Sequence, residues 1–385
     1  MEVRLGVIGV GGMGGAHARS VLDGKVARLR LTAVSDVNPM ALERFADPVR
    51  KFTDSRALIR SGEVDAVLIA TPHFDHTITG IAALSSNLHV LVEKPVSAHK
   101  ADAERLIAAW KGGKQVFGVM FNQRTDPQYQ RIRNLVRGGE LGALQRVCWV
   151  VTNWFRSQAY YNSGGGWRAT WKGEGGGVLL NQCSHNLDLL QWICGMPERV
   201  RGFCGLGKRH DIEVEDEVTA YLEYAGGATG VFIAATGEAP GANRLEICGD
   251  RGRLVLENGE LRFTRNEVPA GEFLRTTREW VSAPPVWHVT FPPADGGEQH
   301  VGIMRNFTEA ILDGNPLLAP ATEGILSLEL ANAILYSSLT GQAVELPLDG
   351  AAYESCLQKL IRESKFSKAQ TVAAPALHPG KPEKK

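Results

Sequence analysis

The chain has 385 residues, of which 44% are hydrophobic, so it is long and apolar enough to bury a large core in two domains. Its 42 lysine and arginine residues balance 42 aspartate and glutamate residues. This balance gives no electrostatic reason to expect a nucleic-acid or membrane-surface partner. The sequence has no apolar run of about 18 residues and no leader pattern, so we expect a cytoplasmic protein without a membrane span.

Six cysteines are spread along the chain without a C-x-x-C pair or a cluster of histidines and cysteines. This spacing favours reduced, buried thiols over a disulfide framework, and it predicts no metal site. The six positions are Cys148, Cys183, Cys194, Cys204, Cys248 and Cys356.

The first part of the chain, residues 1–123, alternates short apolar strands with helical patterns. That alternation is typical of a doubly wound, parallel α/β sheet, whose ligands bind at the carboxyl ends of the strands. The predicted strands are Val3–Ile8, Arg30–Ser35, Ala66–Ala70, His89–Val92 and Gln115–Met120, and the predicted helices are Met13–Leu22, Met40–Ala46, His76–Leu84 and Lys100–Trp110.

Beyond Arg124 the strands become longer and alternate residues are apolar, as at Val218, Ala220 and Leu222. This alternation predicts an α+β domain, residues 124–366, with a mostly antiparallel sheet. A tail rich in proline, alanine and lysine, residues 367–385, is predicted to be disordered. The other predicted elements are strands near Leu144–Thr152, Ala228–Ala234, Arg244–Ile247 and Leu254–Leu256, and helices at Pro127–Val136, Val301–Leu312 and Thr322–Leu339.

The first strand runs directly into a G-x-G-x-x-G turn and the start of a helix. Gly9 permits the tight turn, Gly11 lets the backbone approach a pyrophosphate, and Gly14 lets the helix pack on the strand. The free N–H groups of that helix then face the anion. The alternative is a chance glycine turn, which the position after an apolar strand disfavours. The predicted dinucleotide-binding residues of this turn are Gly9, Val10, Gly11, Gly12, Met13 and Gly14.

Asp36 ends the second predicted strand, about 20 residues beyond the glycine turn. A carboxylate at this position accepts hydrogen bonds from the adenosine ribose and repels a 2′-phosphate, which favours NAD over NADP. The alternative is an ordinary turn aspartate before Asn38 and Pro39. Thr71 and Pro72 end the next strand, where the chain must turn past the cofactor.

The sequence Glu93-Lys94-Pro95 ends another apolar strand and therefore faces the same ligand crevice. Partial burial and a cationic neighbourhood would lower the pKa of Lys94 towards a range suited to proton transfer. Pro95 restricts Lys94 to an extended conformation and helps to aim it. The alternative is a solvated lysine at a strand end.

A third group of polar residues follows three consecutive glycines, Gly175 to Gly177. Asn181, His185 and Asp188 are spaced i, i+4 and i+7, so on a helix they share one face. An imidazole beside an amide and near a lysine forms a workable proton-transfer set. The alternative is a core histidine with structural capping.

These motifs, in this order, resemble the Gfo/Idh/MocA family of glucose–fructose oxidoreductases and inositol dehydrogenases. The resemblance runs from Val3 to about Ser364. It is carried by the glycine turn, Ala70-Thr71-Pro72 with His76, Glu93-Lys94-Pro95, and the glycine-rich segment with His185 and Asp188. The combination is far more specific than any one motif.

The resemblance implies an NAD-binding Rossmann domain, a second domain with a large open sheet, and hydride exchange with a sugar or cyclitol carbon. It places the catalytic residues at Lys94 and His185, with Asn181 beside them. It places further cofactor contacts at Asp36, Ala70, Thr71, Pro72, His76, Glu93, Lys94, Asn122, Trp167 and Arg168. The predicted substrate contacts are Lys94, Asn181, His185, Tyr160 and Trp167. Further aromatic candidates are Trp154, Tyr161 and Trp171. For the aromatic residues, ordinary packing is the alternative.

One departure matters, because inositol dehydrogenases of the family carry an aspartate where this chain has Asn181. An amide can orient a hydroxyl or an imidazole, but it cannot act as a base. Lys94 or His185 must then act as the general base, and specificity for inositol alone is disfavoured.

Three hypotheses follow for the activity. The first is an NAD-dependent sugar or polyol dehydrogenase, or the reverse reductase, with Lys94 and His185 handling the hydroxyl proton. The second is a glycoside-cleaving enzyme that recycles bound NAD, and the third is a non-catalytic dinucleotide or sugar sensor. The expected partner is a small carbohydrate or cyclitol, and the open sheet suggests a homodimer or homotetramer.

Overall fold

A computed structural model describes residues 1–110, 112–163 and 166–368. Its first sheet has six parallel strands in the order β3-β2-β1-β4-β5-β6. The chain reverses its direction of winding between β1 and β4, which opens a crevice at the carboxyl ends of the strands. The strands are β1 (Val3–Ile8), β2 (Leu29–Ser35), β3 (Arg50–Phe52), β4 (Ala66–Ile69), β5 (His89–Val92) and β6 (Phe117–Val119).

Helices connect these strands, and the predicted doubly wound sheet is confirmed. The central strand β4 is buried at every residue, as expected for a parallel strand covered on both faces. Helix α5 has the predicted bounds, whereas α2 is shorter than predicted. The helices are α1 (Gly12–Leu22), α2 (Pro39–Leu42), α3 (Ser55–Ile59), α4 (His73–Ser85) and α5 (Lys100–Trp110).

The second sheet has nine strands among the residues described, in the order β14-β13-β12-β11-β7-β10-β9-β8-β15. All neighbours are antiparallel except β7 and β10, so the prediction of a mostly antiparallel sheet is confirmed. The strands are β7 (Leu144–Val151), β8 (Arg199–Leu206), β9 (Glu215–Glu223), β10 (Thr229–Ala235), β11 (Asn243–Gly249), β12 (Gly252–Glu257), β13 (Glu260–Asn266), β14 (Val286–Thr290) and β15 (Val344–Glu345).

The alternation predicted for β9 is also confirmed, since Val218, Ala220 and Leu222 are buried while Thr219 and Tyr221 are exposed. Helices cover the buried face of this sheet. The second-part helices are α6 (Pro127–Arg137), α7 (Gln158–Asn162), α8 (Ser184–Cys194), α9 (Ala270–Thr276), α10 (Gln299–Asp313), α11 (Ala321–Thr340) and α12 (Gly350–Glu363).

Two late helices fasten the second sheet to the first part of the chain. Asp313 at the end of α10 pairs with Arg28 at 2.5 Å. Glu329 on α11 pairs with the buried Lys100 at the start of α5, at 2.9 Å. Arg28 precedes β2 and lies at the amino edge of the first sheet, whereas Lys100 follows β5 on the side of the carboxyl edge, where the site described below forms.

The predicted tail lies outside the described residues from position 369 onward. Its second residue, Lys368, donates a hydrogen bond to the main-chain oxygen of Tyr161 at 2.6 Å.

All six cysteines are free thiols. Among the residues described, none of the helices combines the length and the apolar character that crossing a bilayer requires.

Candidate active site

The glycine turn between β1 and α1 has the geometry expected of a pyrophosphate cradle. Gly9 has a φ of +82°, which disfavours other residues. A Cβ on Gly14 would lie 1.9 Å from the main-chain oxygen of Gly9, so the close packing of helix on strand depends on that glycine. A Cβ on Gly11 would meet no atom within 4 Å, so this residue faces open space, as a phosphate contact requires.

Asp36 lies at the carboxyl end of β2 and contacts the glycine turn directly. Its carboxylate accepts hydrogen bonds from the main-chain N–H groups of Val10 and Asn38, each at 2.9 Å. The turn therefore holds this half-buried carboxylate beside the cradle, where the ribose of a dinucleotide would lie.

The loop after β4 is braced from behind by His76. The two ring nitrogens of His76 lie 2.8 Å from the main-chain oxygen of Thr71 and 2.9 Å from that of Pro95. The ring is 1% exposed, so His76 shapes this loop rather than offering a nitrogen to a ligand. The hydroxyl of Thr71 is buried and has no hydrogen-bond partner among the described residues, which leaves it for a bound group.

Glu93, at the end of β5, is bonded to helix α1. Its carboxylate lies 2.6 Å from Nε2 of His17 and also accepts a hydrogen bond from the main-chain N–H of Lys94. Burial raises the pKa of Glu93, but the hydrogen bond and charge of His17, followed by the charge of Lys94, outweigh it and hold this pKa at about 2. The carboxylate of Glu93 thus links helix α1 to the segment that follows β5.

Lys94 reaches from the first sheet to the segment that precedes α8. Its Nζ donates a hydrogen bond to the main-chain oxygen of Asn181 at 3.0 Å. Burial is the main cause that lowers the pKa of this lysine, and the charges of Glu93 and Glu174 partly oppose it.

His185 is the second residue of α8, and its ring meets Phe121 edge-on with 6.2 Å between ring centroids. Its Nδ1 is buried and has no hydrogen-bond partner among the described residues. Burial and then the charge of Lys94 hold the pKa of His185 well below its usual range, so the imidazole is neutral near pH 7. Since the charge of Lys94 acts on His185, the two residues predicted to be catalytic share one neighbourhood.

The expected helical face of Asn181, His185 and Asp188 is wrong in two respects. Asn181 lies before α8, in a turn that the Cys183 N–H closes by donating to the Val178 oxygen at 2.8 Å. The side chain of Asp188 forms a fully buried ion pair with Arg124 at 2.7 Å. Asp188 is therefore a packing residue.

The side chain of Asn181 is oriented by a carboxylate that the sequence analysis did not identify. The Asn181 amide donates a hydrogen bond to Glu174, which is 1% exposed. The same carboxylate accepts a hydrogen bond from the main-chain N–H of Ala169 at 2.5 Å. Burial raises the pKa of Glu174, and the charge of Arg168 opposes this most strongly.

One wall of the site combines aromatic rings with guanidinium groups. Arg168 lies over the rings of Tyr160 and Trp167, at 4.4 and 4.9 Å from their centroids, and donates to the Tyr160 hydroxyl at 2.6 Å. Arg156 also lies over the Tyr160 ring, at 5.2 Å. Gln182 donates to the same hydroxyl at 3.2 Å. The predicted residues Tyr160, Trp167 and Arg168 are thus neighbours, and Arg156 and Gln182 join them.

The residues present fit a nicotinamide dinucleotide. The glycine turn and Asp36 suit its pyrophosphate and ribose, as described above. Nearer to Lys94, Asn122 donates to the side chain of Gln299 at 2.7 Å, but its own amide oxygen is buried and has no partner among the described residues. An orphaned acceptor of this kind is suited to the carboxamide of a nicotinamide.

Two profiles of one protein family match the chain. The oxidoreductase family with an NAD-binding Rossmann fold matches residues 3–121, and the GFO/IDH/MocA C-terminal domain matches residues 129–255, which together make up more than half of the chain. The chain belongs to the Gfo/Idh/MocA family. It is an NAD-binding oxidoreductase, so the predicted enzyme class and cofactor are confirmed.

Named relatives of this Gfo/Idh/MocA protein act on cyclitols and sugars. It is 28% identical to an inositol 2-dehydrogenase of Rubrobacter xylanophilus, over 88% of this chain and 92% of the relative. It is 25% identical to a levoglucosan dehydrogenase of Pseudarthrobacter phenanthrenivorans, over 90% and 98%. The WlbA dehydrogenase of Bordetella pertussis, solved with NADH and UDP-GlcNAcA, superposes with a TM-score of 0.76 and 25% identity, over 91% of this chain and 100% of that one.

A second histidine near the cofactor crevice of this family member also escaped the sequence analysis. His300, near the start of α10, lies 5.2 Å from His17 between ring centroids. Burial lowers the pKa of His300 to about 4, although the charge of Glu93 opposes it. The sequence offers no motif around His300, because α10 folds back onto the first sheet from far along the chain.

One cluster outside the crevice has the spacing of a cation site. His99, Asp102 and Glu354 place one ligand atom each within 4.8 Å of one another. Arg105 already donates to both carboxylates, at 2.5 and 2.7 Å. A guanidinium thus neutralises this cluster.

Proposed function

We propose that this protein is an NAD-dependent dehydrogenase that exchanges hydride with a hydroxyl-bearing ring carbon of a sugar derivative. The observation that carries the proposal is the hydrogen bond from Lys94, at the carboxyl edge of the NAD-binding sheet, to the Asn181 main-chain oxygen in the segment that leads into the helix of His185. The cyclitol and sugar dehydrogenases among its relatives support the same substrate class.

The protonation of the two residues suggests their roles. The imidazole of His185 is neutral and its Nδ1 has no partner among the described residues, so His185 has the capacity to take the proton of a substrate hydroxyl. The ammonium of Lys94 can donate a hydrogen bond to the same oxygen and stabilise the negative charge that develops there. When bound, NAD would accept the hydride from the substrate carbon that bears this hydroxyl. In the reverse reaction, the same residues return the proton.

The charges of the site favour a substrate that carries an anionic group. The charges of Arg168 and Arg156 both act on Lys94, as do the carboxylates of Glu93 and Glu174, so three cations face two carboxylates in this region. Within the described residues, neither guanidinium group has a carboxylate oxygen within 4.0 Å. A sugar acid would satisfy these donors, because arginine binds carboxylates and phosphates in a bidentate geometry. The WlbA relative was solved with UDP-GlcNAcA, which supports this choice.

A substrate screen tests the proposed function. The protein is mixed with NAD or NADP and with D-glucuronate, D-galacturonate, UDP-GlcNAcA, levoglucosan, D-glucose or myo-inositol, and the absorbance of reduced cofactor is followed. We expect NADH to accumulate, most with an acidic sugar. Glycoside cleavage without free NADH would instead support the recycled-cofactor hypothesis. Cofactor binding without any turnover would favour a sensor.

We also propose that the protein functions in the cytoplasm, and that it self-associates. The surface proposed for self-association is the outer face of the second sheet. Phe203 on β8 and Tyr221 on β9 lie on that face and are 57% and 41% exposed. Apolar residues at this exposure favour a protein partner. Analytical ultracentrifugation is expected to give a dimer or tetramer, and Phe203→Glu is expected to weaken it.

A further inference from the structure

Glu174 is a buried carboxylate whose contacts all belong to the active-site loops. Its two carboxylate oxygens accept hydrogen bonds from the Asn181 side chain and from the main-chain N–H of Ala169. Its main-chain oxygen lies 2.9 Å from Nδ1 of the buried His73. Burial of a carboxylate is costly, so a residue of this type at 1% exposure requires compensation from its surroundings.

That compensation comes from the cations of the active site. The charges of Arg168 and Lys94 both favour the ionised form of Glu174. In return, Glu174 is one of the two carboxylates whose charge favours the ammonium form of Lys94, the other being Glu93. Glu93 is bonded to His17 on α1, whereas Glu174 is the carboxylate that binds the side chain of Asn181.

The groups around Lys94 and Glu174 come from several elements. Lys94 is influenced by Glu93, Glu174, Arg156 and Arg168, and its own charge acts on His73, His185, His300 and Cys183. Glu174 also influences Tyr161, Glu215 and Lys368.

We propose that Glu174 is a positioning residue, which fixes the amide of Asn181 towards the substrate and keeps the neighbouring Lys94 in its ammonium form. The chain of contacts is continuous: the Glu174 carboxylate binds the Asn181 side chain, and the Asn181 main-chain oxygen binds the Lys94 ammonium. The neutral amide at position 181 is thus backed by a full negative charge. This inference rests on the proposed dehydrogenase function for its meaning in catalysis, but its electrostatic part does not.

A measurement without substrate tests the electrostatic part. The NAD-loaded protein is labelled with ¹³C at the lysine Cε, and the Lys94 signal is assigned by its loss in Lys94→Arg. We expect Glu174→Gln, which keeps the shape and removes the charge, to lower the pKa of Lys94 by about one unit. Glu213→Gln is the control, because Glu213 binds the main-chain N–H of Trp171 at 2.8 Å and makes no contact with Asn181 in the described residues.

A rescue variant separates a charge effect from a structural one. In Glu174→Gln/Asn181→Asp the negative charge is restored on the residue whose main-chain oxygen binds Lys94, so the lysine pKa should return towards its wild-type value. An unchanged lysine pKa in Glu174→Gln, or a lowered one that the double variant fails to restore, overturns the proposal.

A measurement on the wild-type protein covers the case in which Glu174→Gln does not fold. The proposal requires Glu174 to be ionised at pH 7, which ¹³C labelling of the glutamate carboxyls reports directly, with assignment from Glu174→Asp. A protonated Glu174 at that pH overturns the proposal. If the substrate screen fails while the lysine shift appears, the proposed function is wrong and the electrostatic role of Glu174 stands.

Once a substrate has been identified, steady-state kinetics of Glu174→Gln provide a further test. With Glu174→Gln we expect kcat to fall about tenfold and its pH profile to shift, while the Kd for NAD stays within about twofold of wild type. A variant that lost NAD affinity and kcat together would point to general damage of the loops and would overturn the positioning role.

Discussion

The ammonium group of Lys94 lies 3.0 Å from the main-chain oxygen of Asn181, and this contact joins the segment that follows β5 to the segment that leads into the helix of His185. The two residues lie 87 positions apart in the chain. The active site therefore exists only when both sheets are folded and assembled.

Replacement of Lys94 or His185 should abolish turnover without unfolding the protein. Positioned acid–base groups contribute about 10²–10⁴-fold to rate, so we expect Lys94→Ala and His185→Gln each to lower kcat by at least about 100-fold. Steady-state kinetics and NAD titration by fluorescence measure the two effects separately.

Lys359→Ala on α12 and His288→Gln on β14 are matched controls, because both side chains are exposed and lie in other elements. They should leave kcat unchanged. Full activity in either active-site variant would remove that residue from the mechanism.

Alanine at two glycines of the nucleotide turn should have contrasting effects. Gly14→Ala places a Cβ 1.9 Å from the Gly9 oxygen, so it should destabilise the protein by at least about 1–3 kcal/mol and abolish NAD binding. Gly11→Ala meets open space within 4 Å, so it should keep the melting temperature and only weaken NAD binding. Thermal unfolding measures the loss of stability, and calorimetric titration measures the affinity for NAD. A Gly11→Ala protein less stable than the Gly14→Ala protein would contradict this geometry.

Asp36→Asn should reduce the preference for NAD over NADP. The asparagine can still accept the hydrogen bond from the Val10 N–H, while the charge that repels a 2′-phosphate is removed. We expect the ratio of kcat/KM values for the two cofactors to fall by about tenfold. An unchanged ratio would show that another group selects the cofactor.

Glu215 should make the stability of the protein depend on pH. Its carboxylate accepts hydrogen bonds from the main-chain N–H groups of Gly177 and Leu179, at 2.8 and 3.1 Å, and its other oxygen is buried without a partner among the described residues. Burial raises the pKa of Glu215 to about 7. The folded protein therefore binds a proton more tightly than the unfolded chain does.

The sign follows from that order of pKa values. The contribution of Glu215 to the free energy of unfolding is fully present below the unfolded pKa of about 4.5 and is lost as pH rises through about 7. The loss amounts to roughly 2–4 kcal/mol. Urea unfolding of Glu215→Gln should show a stability that falls less than that of wild type between these pH values. Parallel pH curves for the two proteins would contradict the assignment.

Removal of one partner from the Arg124–Asp188 pair should destabilise the fold. Both side chains are fully buried, and although Arg124 keeps its second partner Glu323 at 2.5 Å, Asp188→Ala leaves the Nε and Nη2 donors of Arg124 without their acceptor in the core, at a cost of about 1–3 kcal/mol. Denaturant unfolding measures this loss. Since Asp188 contacts neither Lys94 nor His185 in the described structure, the folded fraction should keep its kcat; a selective loss of kcat would restore Asp188 to the site.

The parallel strands could be predicted from sequence because burial on both faces makes them continuous apolar runs, as in β4. Strand β3 was missed, since Arg50-Lys51-Phe52 is short and charged and lies at the edge of the sheet. Strands β8 and β13 and helix α12 were not predicted either. Their residues mix polar and apolar types, and their positions are set by the neighbours on which they pack.

The candidate site shows the same division. Lys94 and His185 could be found because each lies at a recognisable strand end or glycine-rich segment. Glu174 could not, because its reach to Asn181 depends on the tight turns of residues 175–183, which no periodicity encodes. His300 could not be found for the same reason, since only the folding of α10 onto the first sheet brings it near His17.

The anchor of Lys94 is a peptide oxygen, and every amino acid at position 181 supplies one. A change of side chain there would alter the local charge, yet the lysine would keep its attachment and its aim. The side chain at this position can therefore vary separately from the anchor of the lysine, as long as it still pairs with Glu174.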